Sequence, residues 1–159
     1  MFAQNENIII RAAEPIDAEL IYKWENDQEI WRVSETYMPY SLYQIEQFLL
    51  NNNDLFSIRQ IRFIIEKKDN NTNIGCIDLY DFDPIHMRAG IGILLQKDYR
   101  KQGYAHEALD NIAASARKRA VVVGCNAQTL SGAMRCFALY ALAASGTPRY
   151  KAREYNAHA

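Results

Sequence analysis

The sequence predicts a mixed α/β domain, and three observations carry that reading. Runs rich in β-branched residues recur as strand candidates at 7–11, 61–66, 74–82, 88–95 and 120–126. Stretches with helical apolar spacing and helix-start signals lie between several of them. The strand at 88–95 passes through a short glycine turn into a helix at 105–112. At 159 residues the chain has the length of one domain with a substantial core. Its residues are 49% hydrophobic, which suits a globular protein. No apolar run approaches the ~20 residues of a membrane span. No signal peptide is read at the N-terminus, so a cytoplasmic location without a membrane partner is the expectation. Cys76, Cys125 and Cys136 are unclustered and lack zinc-ligand spacing. They read as small core thiols in a reducing compartment, and no metal is expected.

The first strand is Asn7-Ile8-Ile9-Ile10-Arg11. Glu14-Pro15-Ile16-Asp17 opens a helix, since proline suits a first turn and acids suit a helix N-terminus. Ile16, Leu20, Ile21 and Trp24 fall on one face. The helix ends in Glu25-Asn26-Asp27, followed by Glu29, Trp31 and Glu35. Acids there alternate with Trp24, Trp31, Tyr37 and Tyr40. Such a mix can hold an amine by charge and cation–π contact, or be a solvated helix end with its aromatics turned inward. Ser41-Leu42-Tyr43-Gln44 forms a capping box. The helix after it carries Leu42, Ile45, Phe48 and Leu49, and Asn51-Asn52-Asn53-Asp54 stops it.

The second strand spans 61–66, and Asp69-Asn70-Asn71-Thr72-Asn73 is a turn cluster. The third strand spans 74–82. Asp83-Pro84-Ile85-His86 turns it into the fourth, at 88–95. Asp78 and Asp81 have opposite parity on the third strand, so only one faces a given cleft. A carboxylate inside a central strand is costly unless it is paired or functional. Asp78, the more interior, is therefore either a functional acid or a structural partner of Arg88 or a backbone amide. A fifth strand at 120–126, a helix at 131–145 and room for one further strand at 147–159 complete the chain.

The net charge of −1 hides an asymmetry. Residues 1–83 hold 15 acids and 7 bases, a net −8, whereas residues 84–159 hold 4 acids and 11 bases, a net +7. A basic second half suits an anionic cofactor, and an acidic first half suits a cationic substrate. Charge scattered unevenly without function is the other reading. The bases are not massed in one run and the pI is about 6.3, which argues against a nucleic-acid partner.

The stretch around Gly103 organises these elements. Ile91-Gly92-Ile93-Leu94-Leu95 reads as strand, and Ala105 opens a helix. The first amides of a helix have no acceptor within it, and the helix dipole favours negative charge there. Gly103 lets a ligand approach the backbone closely, and Ala105 is nearly as small. Neither the Walker pattern nor the dinucleotide glycine pattern is present.

Arg100-Lys101-Gln102-Gly103-Tyr104-Ala105 resembles the acetyl-CoA pyrophosphate loop of the GNAT N-acetyltransferases, Gln/Arg-x-x-Gly-x-Gly/Ala. Asp78-Leu79-Tyr80-Asp81-Phe82-Asp83 followed by Arg88-Ala89-Gly90-Ile91-Gly92-Ile93 resembles the hairpin that precedes that loop. Trp24-Glu25-Asn26-Asp27 fits the diamine and ribosomal-protein acetyltransferase branch. The resemblance runs from about residue 7 to 109. After that the alanine-rich tail lacks the family's Glu-Lys and terminal Gly-Phe, offering only Asn126, Ser131 and Cys136-Phe137-Ala138-Leu139-Tyr140.

The resemblance implies a central, mostly antiparallel sheet of six or seven strands flanked by helices and splayed between the fourth and fifth. It implies acetyl-CoA as co-substrate. Backbone groups of Ile93, Leu94 and Leu95 would pair with the pantetheine arm. The amides from Arg100 through Lys101, Gln102, Gly103 and Tyr104 to Ala105 would hold the pyrophosphate, with Asn126 a further cofactor contact. The acceptor would be a small-molecule amine, of di- or polyamine type, or a protein amine such as a ribosomal-protein N-terminus. A homodimer is compatible with it.

The chain carries no Ser or Cys set beside a base, which agrees with direct attack by the amine. An alkyl amine has a pKa of about 10.4, so a proton must be removed first. Asp78 is the expected acceptor of that proton, ahead of Asp81 and Glu29. The family often places a Glu on the fourth strand, but Ala89-Gly90-Ile91 has no acid there. Tyr140, on the expected helix after the fifth strand, would meet the departing thiolate. Trp24, Glu25, Glu29 and Trp31 are the expected acceptor contacts. Two other readings stand beside this one: a non-catalytic CoA-binding or sensor module, and a protein-interaction domain in which the glycine turn is only structural.

Overall fold

The computed structural model describes residues 2–34, 37–51, 55–118, 122–125 and 139–140, with side chains for 2–31, 37–51 and 55–116. Its strands are β1 (Ala3–Gln4), β2 (Ile8–Ala12), β3 (Ile61–Lys67), β4 (Asn73–Asp83), β5 (Arg88–Leu95), β6 (Val122–Cys125) and β7 (Leu139–Tyr140). They form one sheet in sequence order. The five strands β1–β5 are antiparallel throughout. β6 joins β5 in parallel, and the two residues of β7 lie antiparallel to β6. The helices are α1 (Ala18–Glu25), α2 (Gln28–Ser34), α3 (Leu42–Asn51), α4 (Leu55–Ile58) and α5 (Tyr104–Lys118).

Alternation along the strands builds two layers of core. Phe63, Ile65, Ile77, Leu79, Ile91 and Leu95 point to one face, where Ala108, Leu109 and Ile112 of α5 cover them. Ile64 and Cys76 point to the other, against Ile21 and Trp24 of α1 and Ile45 and Leu49 of α3. Each fully buried isoleucine contributes roughly 1.5–3 kcal/mol of transfer free energy, so these two layers hold the helices to the sheet.

α3 begins at the expected capping box. The Ser41 amide donates to Gln44 Oε1 at 2.8 Å, and the Gln44 amide donates to Ser41 Oγ at 3.1 Å. The first helix differs from expectation. Pro15–Asp17 is a 3₁₀ turn and α1 starts at Ala18. Ile16 is 89% exposed, while Asp17 takes the inward place at 3%. The cause is polar: Arg11 donates to both Asp17 oxygens at 2.8 Å, a fork strong enough to draw the acid under the turn.

The short elements β1, α2 and α4 were not legible in the sequence. The helix expected at 131–145 is contradicted at Leu139–Tyr140, which is strand; the remainder of it, and the strand at 147–159, lie outside the described residues. The register of β4 on β5 shifts between Tyr80 and Asp83. Asp81, at φ 51° in that irregularity, is exposed. Parity counted from Asp78 therefore does not carry through to Asp81.

Candidate active site

Two features meet at the C-terminal end of β5. The first is a strand edge. β5 pairs with β4 along its length, through Asp78↔Gly92, Ile77↔Ile93, Cys76↔Leu94 and Gly75↔Leu95. Its pairing with β6 runs only from Arg88↔Val122 to Ile91↔Cys125. Beyond that point Gly92, Ile93, Leu94 and Leu95 have no strand partner on this side among the described residues. Such an edge is a template for an extended chain carrying amides.

The second feature is the turn that follows. Residues Lys97–Tyr99 make a 3₁₀ turn, and Lys101 and Gly103 then adopt φ values of 62° and 90°. Left-handed residues next to a helix N-terminus turn successive amides toward a common centre, the geometry of an anion nest. Glu107 N–H donates to Gly103 O at 3.0 Å, so the amides from Tyr104 onward are the first of α5. A Cβ built on Gly103 meets nothing within 4 Å, which leaves the approach to those amides open. Ala105 is buried beneath the turn.

The turn's side chains brace it. Arg100 Nε donates to Leu95 O at 2.9 Å, tying the loop to the end of the strand edge. Gln102 Nε2 donates to Asp98 O at 2.6 Å. Lys67 Nζ lies 5.9 Å from the Tyr99 ring centroid and 5.7 Å from that of Tyr104, and adds a cation beside the start of α5. These residues fit acetyl-CoA. The edge at Ile93, Leu94 and Leu95 suits an amide-bearing arm, and the amides from Lys101 to Ala105 suit a pyrophosphate. The Arg100 amide, expected among them, is instead taken by the Lys97 carbonyl at 3.3 Å. Asn126 lies outside the described residues.

The acids gather on the α1 face of the sheet, and their partners correct several expectations. Asp78 does not meet Arg88. Its oxygens take Arg62 Nε at 2.7 Å and Nη2 at 2.8 Å. Arg88 instead lies 3.4 Å from Asp83. Glu25 is not a free helix end, because Oε1 binds Arg62 Nη1 at 2.6 Å. Arg62 also lies over the Phe48 ring at 5.4 Å. Burial works to strip this guanidinium of its proton. The facing carboxylates, Asp78 above all, outweigh that and hold its pKa well above the ordinary value.

Trp24 is 6% exposed and belongs to the core, so it is not available to a ligand. Trp31 Nε1 donates to the Glu25 carbonyl at 2.7 Å, which packs the turn between α1 and α2 onto the same cluster. Glu29 is exposed and bonds Lys97 Nζ at 2.9 Å. That bond lowers the Glu29 pKa and raises that of Lys97. It also fastens α2 to the turn after β5, so the acid-rich segment and the glycine turn are neighbours. Tyr140 sits in β7 opposite Val123, not on a helix, which removes the basis for a thiolate-facing hydroxyl there.

Sequence reading missed Arg62 and Lys97. An arginine inside the apolar run 61–66 was the available signal, since a buried cation demands a partner. Burial pushes the Cys76 thiol pKa up, and it is an inert core residue.

The comparisons agree with this geometry. The family model for the acetyltransferase (GNAT) domain matches residues 7–140. No curated protein matches the sequence. Among solved structures, the chain is similar to spermidine N-acetyltransferase from Vibrio cholerae in complex with CoA and spermine. The TM-score is 0.65 at 21% identity, covering 76% of this chain and 71% of that one. It is also similar to RimL, a ribosomal L7/L12 alpha-N-protein acetyltransferase in complex with CoA. That TM-score is 0.66 at 16% identity, covering 78% of this chain and 72% of that one. At such identities the likeness is one of fold. Strand edge, glycine turn and family match together place this chain in the GNAT acetyltransferase domain family, as an N-acetyltransferase that uses acetyl-CoA as its co-substrate.

Proposed function

We propose that the acceptor is the primary amine of a cationic small molecule of the di- or polyamine kind, attacking acetyl-CoA directly in a ternary complex. One observation carries this reading. Glu25 and Asp78 share the single guanidinium of Arg62, so the cluster keeps one net negative charge, and Asp78 stands opposite Gly92 where β5 parts from β6. A carboxylate beside the free strand edge draws an ammonium toward the place where a thioester would lie. The spermidine enzyme of similar fold supports the same class of acceptor.

The residues act in distinct ways. The backbone of Ile93, Leu94 and Leu95 pairs with the pantetheine arm, and the amides from Gln102 to Ala105 receive the pyrophosphate. Asp78 is better suited to hold the ammonium than to take its proton. Accepting a proton would break the fork to Arg62, the stronger kind of charged hydrogen bond. The proton therefore leaves the amine to water. The neutral amine attacks the carbonyl carbon, a C–N bond forms, the C–S bond breaks to release the thiolate, and the second proton shed by the nitrogen passes through water to that thiolate. At pH 7 only about one alkyl amine in a few thousand is neutral, so turnover should rise with pH.

Incubation of the protein with acetyl-CoA and spermidine, 1,4-diaminobutane, butylamine or an N-terminal peptide, read by thiol release, tests the proposal. The diamines should exceed butylamine in kcat/KM by about tenfold, as one further charge contact provides. A preference for the peptide, or no thiol release while CoA binds by calorimetry, overturns it. The cofactor half is tested separately by CoA affinity. Gly103→Val should lose binding through bulk at the open cradle and the positive φ. Arg100→Ala should lose about tenfold or less, since it only ties the loop to Leu95.

A further inference from the structure

We propose that Tyr80 is the platform for the acceptor amine, a residue that sets acceptor affinity without touching acetyl-CoA. This rests on the acetyl-transfer reading above. Tyr80 follows Asp78 by two positions on β4, so both side chains stand on the α1 face of the sheet. Across from them β5 presents Gly92 and Gly90, opposite Asp78 and Tyr80 respectively. The ring occupies the space those glycines leave. A Cβ added at Gly90 would come within 2.6 Å of its Cε2 and Cζ, and one at Gly92 within 3.7 Å of its Cε1. The hydroxyl-bearing end of the ring thus lies across β5, spanning the residues on either side of Ile91, where the pairing with β6 ends.

Three things therefore converge on one spot: the start of the free strand edge, the Asp78 side of the acid cluster, and an aromatic ring. Tyr80 is half-buried, so part of it remains on the surface. An ammonium drawn to Asp78 at this position lies beside the ring, and an aromatic ring attracts a desolvated cation. The methylenes of an alkyl amine pack on the same carbon surface. The two glycines are what allow it, because any side chain at position 90 would displace the ring.

The test uses the full chain with acetyl-CoA and spermidine, comparing wild type with Tyr80→Phe, Tyr80→Leu and Gly90→Ala. Tyr80→Leu should raise the KM for spermidine by about tenfold, the weight of a cation–π contact with partial desolvation, and leave the KM for acetyl-CoA within twofold. Tyr80→Phe keeps the ring and should stay within about threefold of wild type. Gly90→Ala keeps Tyr80 but pushes the ring aside, so it should match Tyr80→Leu even if the leucine variant folds poorly. An unchanged spermidine KM in Tyr80→Leu overturns the proposal. So does an equal rise in both KM values, which would make Tyr80 a support for β5. A failure of the amine reading shows itself differently, as wild type releasing no thiol with any amine. In that event calorimetry of spermidine on the CoA-bound protein reads the same variants. Equal spermidine affinity in wild type and Tyr80→Leu then overturns the platform as well.

Discussion

Arg11 and Arg62 stand on the same face of the sheet, and each holds two carboxylates. Arg11, on β2, bonds Asp17 twice at 2.8 Å and Glu66 at 3.0 Å. Arg62, on β3, bonds Asp78 at 2.7 and 2.8 Å and Glu25 at 2.6 Å. Asp17 immediately precedes α1 and Glu25 is its last residue, so the pair of arginines pins both ends of one helix. Ile64, fully buried, lies between them on β3. What differs is the far side of each acid. The Asp17 side chain is 4% exposed, and its Oδ2 also receives the Glu14 amide at 2.8 Å. That acid is closed off, while Arg11 and Glu66 beside it keep 24% and 17% exposure. The Asp78 side chain is 19% exposed and stands opposite a glycine at the parting of β5 and β6. On the proposed reading, the same arrangement of charges is a fastening in one place and a binding surface in the other, according to what faces it.

The sharpest way to break this comparison is Arg62→Met. It leaves Glu25 and Asp78 close together without their cation, and removing one partner of a buried pair costs about 3–5 kcal/mol. Urea unfolding should show that loss. A loss below about 1 kcal/mol, the range of surface pairs, would mean the cluster is solvated and not a fastening.

Asp17→Asn comes next, at about 2–3 kcal/mol, because Arg11 keeps Glu66 as partner. Thiol release per folded molecule should stay within about twofold of wild type, since Asp17 is held by Arg11 of β2, three strands from β5 in the sheet. The sign of its pH dependence follows from the folded acid. Burial alone would raise the Asp17 pKa, but the Arg11 fork and the Glu14 amide outweigh it, so the net shift is downward. A depressed pKa gives stability that is present above the unfolded value of about 3.9 and lost as pH falls through the folded one. The stability gap between wild type and Asp17→Asn should therefore narrow below about pH 4.

Glu29→Gln is the smallest effect. The pair with Lys97 is exposed, so the KM for a diamine should rise by about twofold at low salt and converge with wild type near 1 M, where screening is complete. A rise that survives high salt would make Glu29 a direct acceptor contact.

Local chemistry was legible in the sequence, and long-range pairing was not. The capping box at Ser41 and Gln44, the turn at Gly103 and the hairpin into β5 each depend on a few adjacent residues. The ion pairs depend on strand register. Arg88 was the nearer arginine across the hairpin from Asp78. Antiparallel pairing of β3 with β4 instead sets Arg62 against it, and the irregularity at Tyr80–Asp83 leaves Arg88 beside Asp83. Trp24 shares α1 with Glu25, yet only its periodicity with Ile21 marks it as core. A cluster of acids and aromatics does not show in sequence which members turn inward. Tyr80 needed the paired glycines of the neighbouring strand, which only the register brings opposite it.

The most direct measurement sets Asp78→Asn beside Asp17→Asn in one thiol-release assay with spermidine, with CoA affinity taken in parallel. Each variant loses one carboxylate charge from an arginine cluster that pins one end of α1. Asp78→Asn should lower kcat/KM for spermidine by about thirtyfold, the weight of a hydrogen bond to a charged group, and leave CoA affinity within twofold. Asp17→Asn should lower the melting temperature and leave kcat/KM near wild type. If instead both variants lose stability alike and kcat/KM falls in neither, Asp78 is a second fastening, and the acceptor amine binds elsewhere.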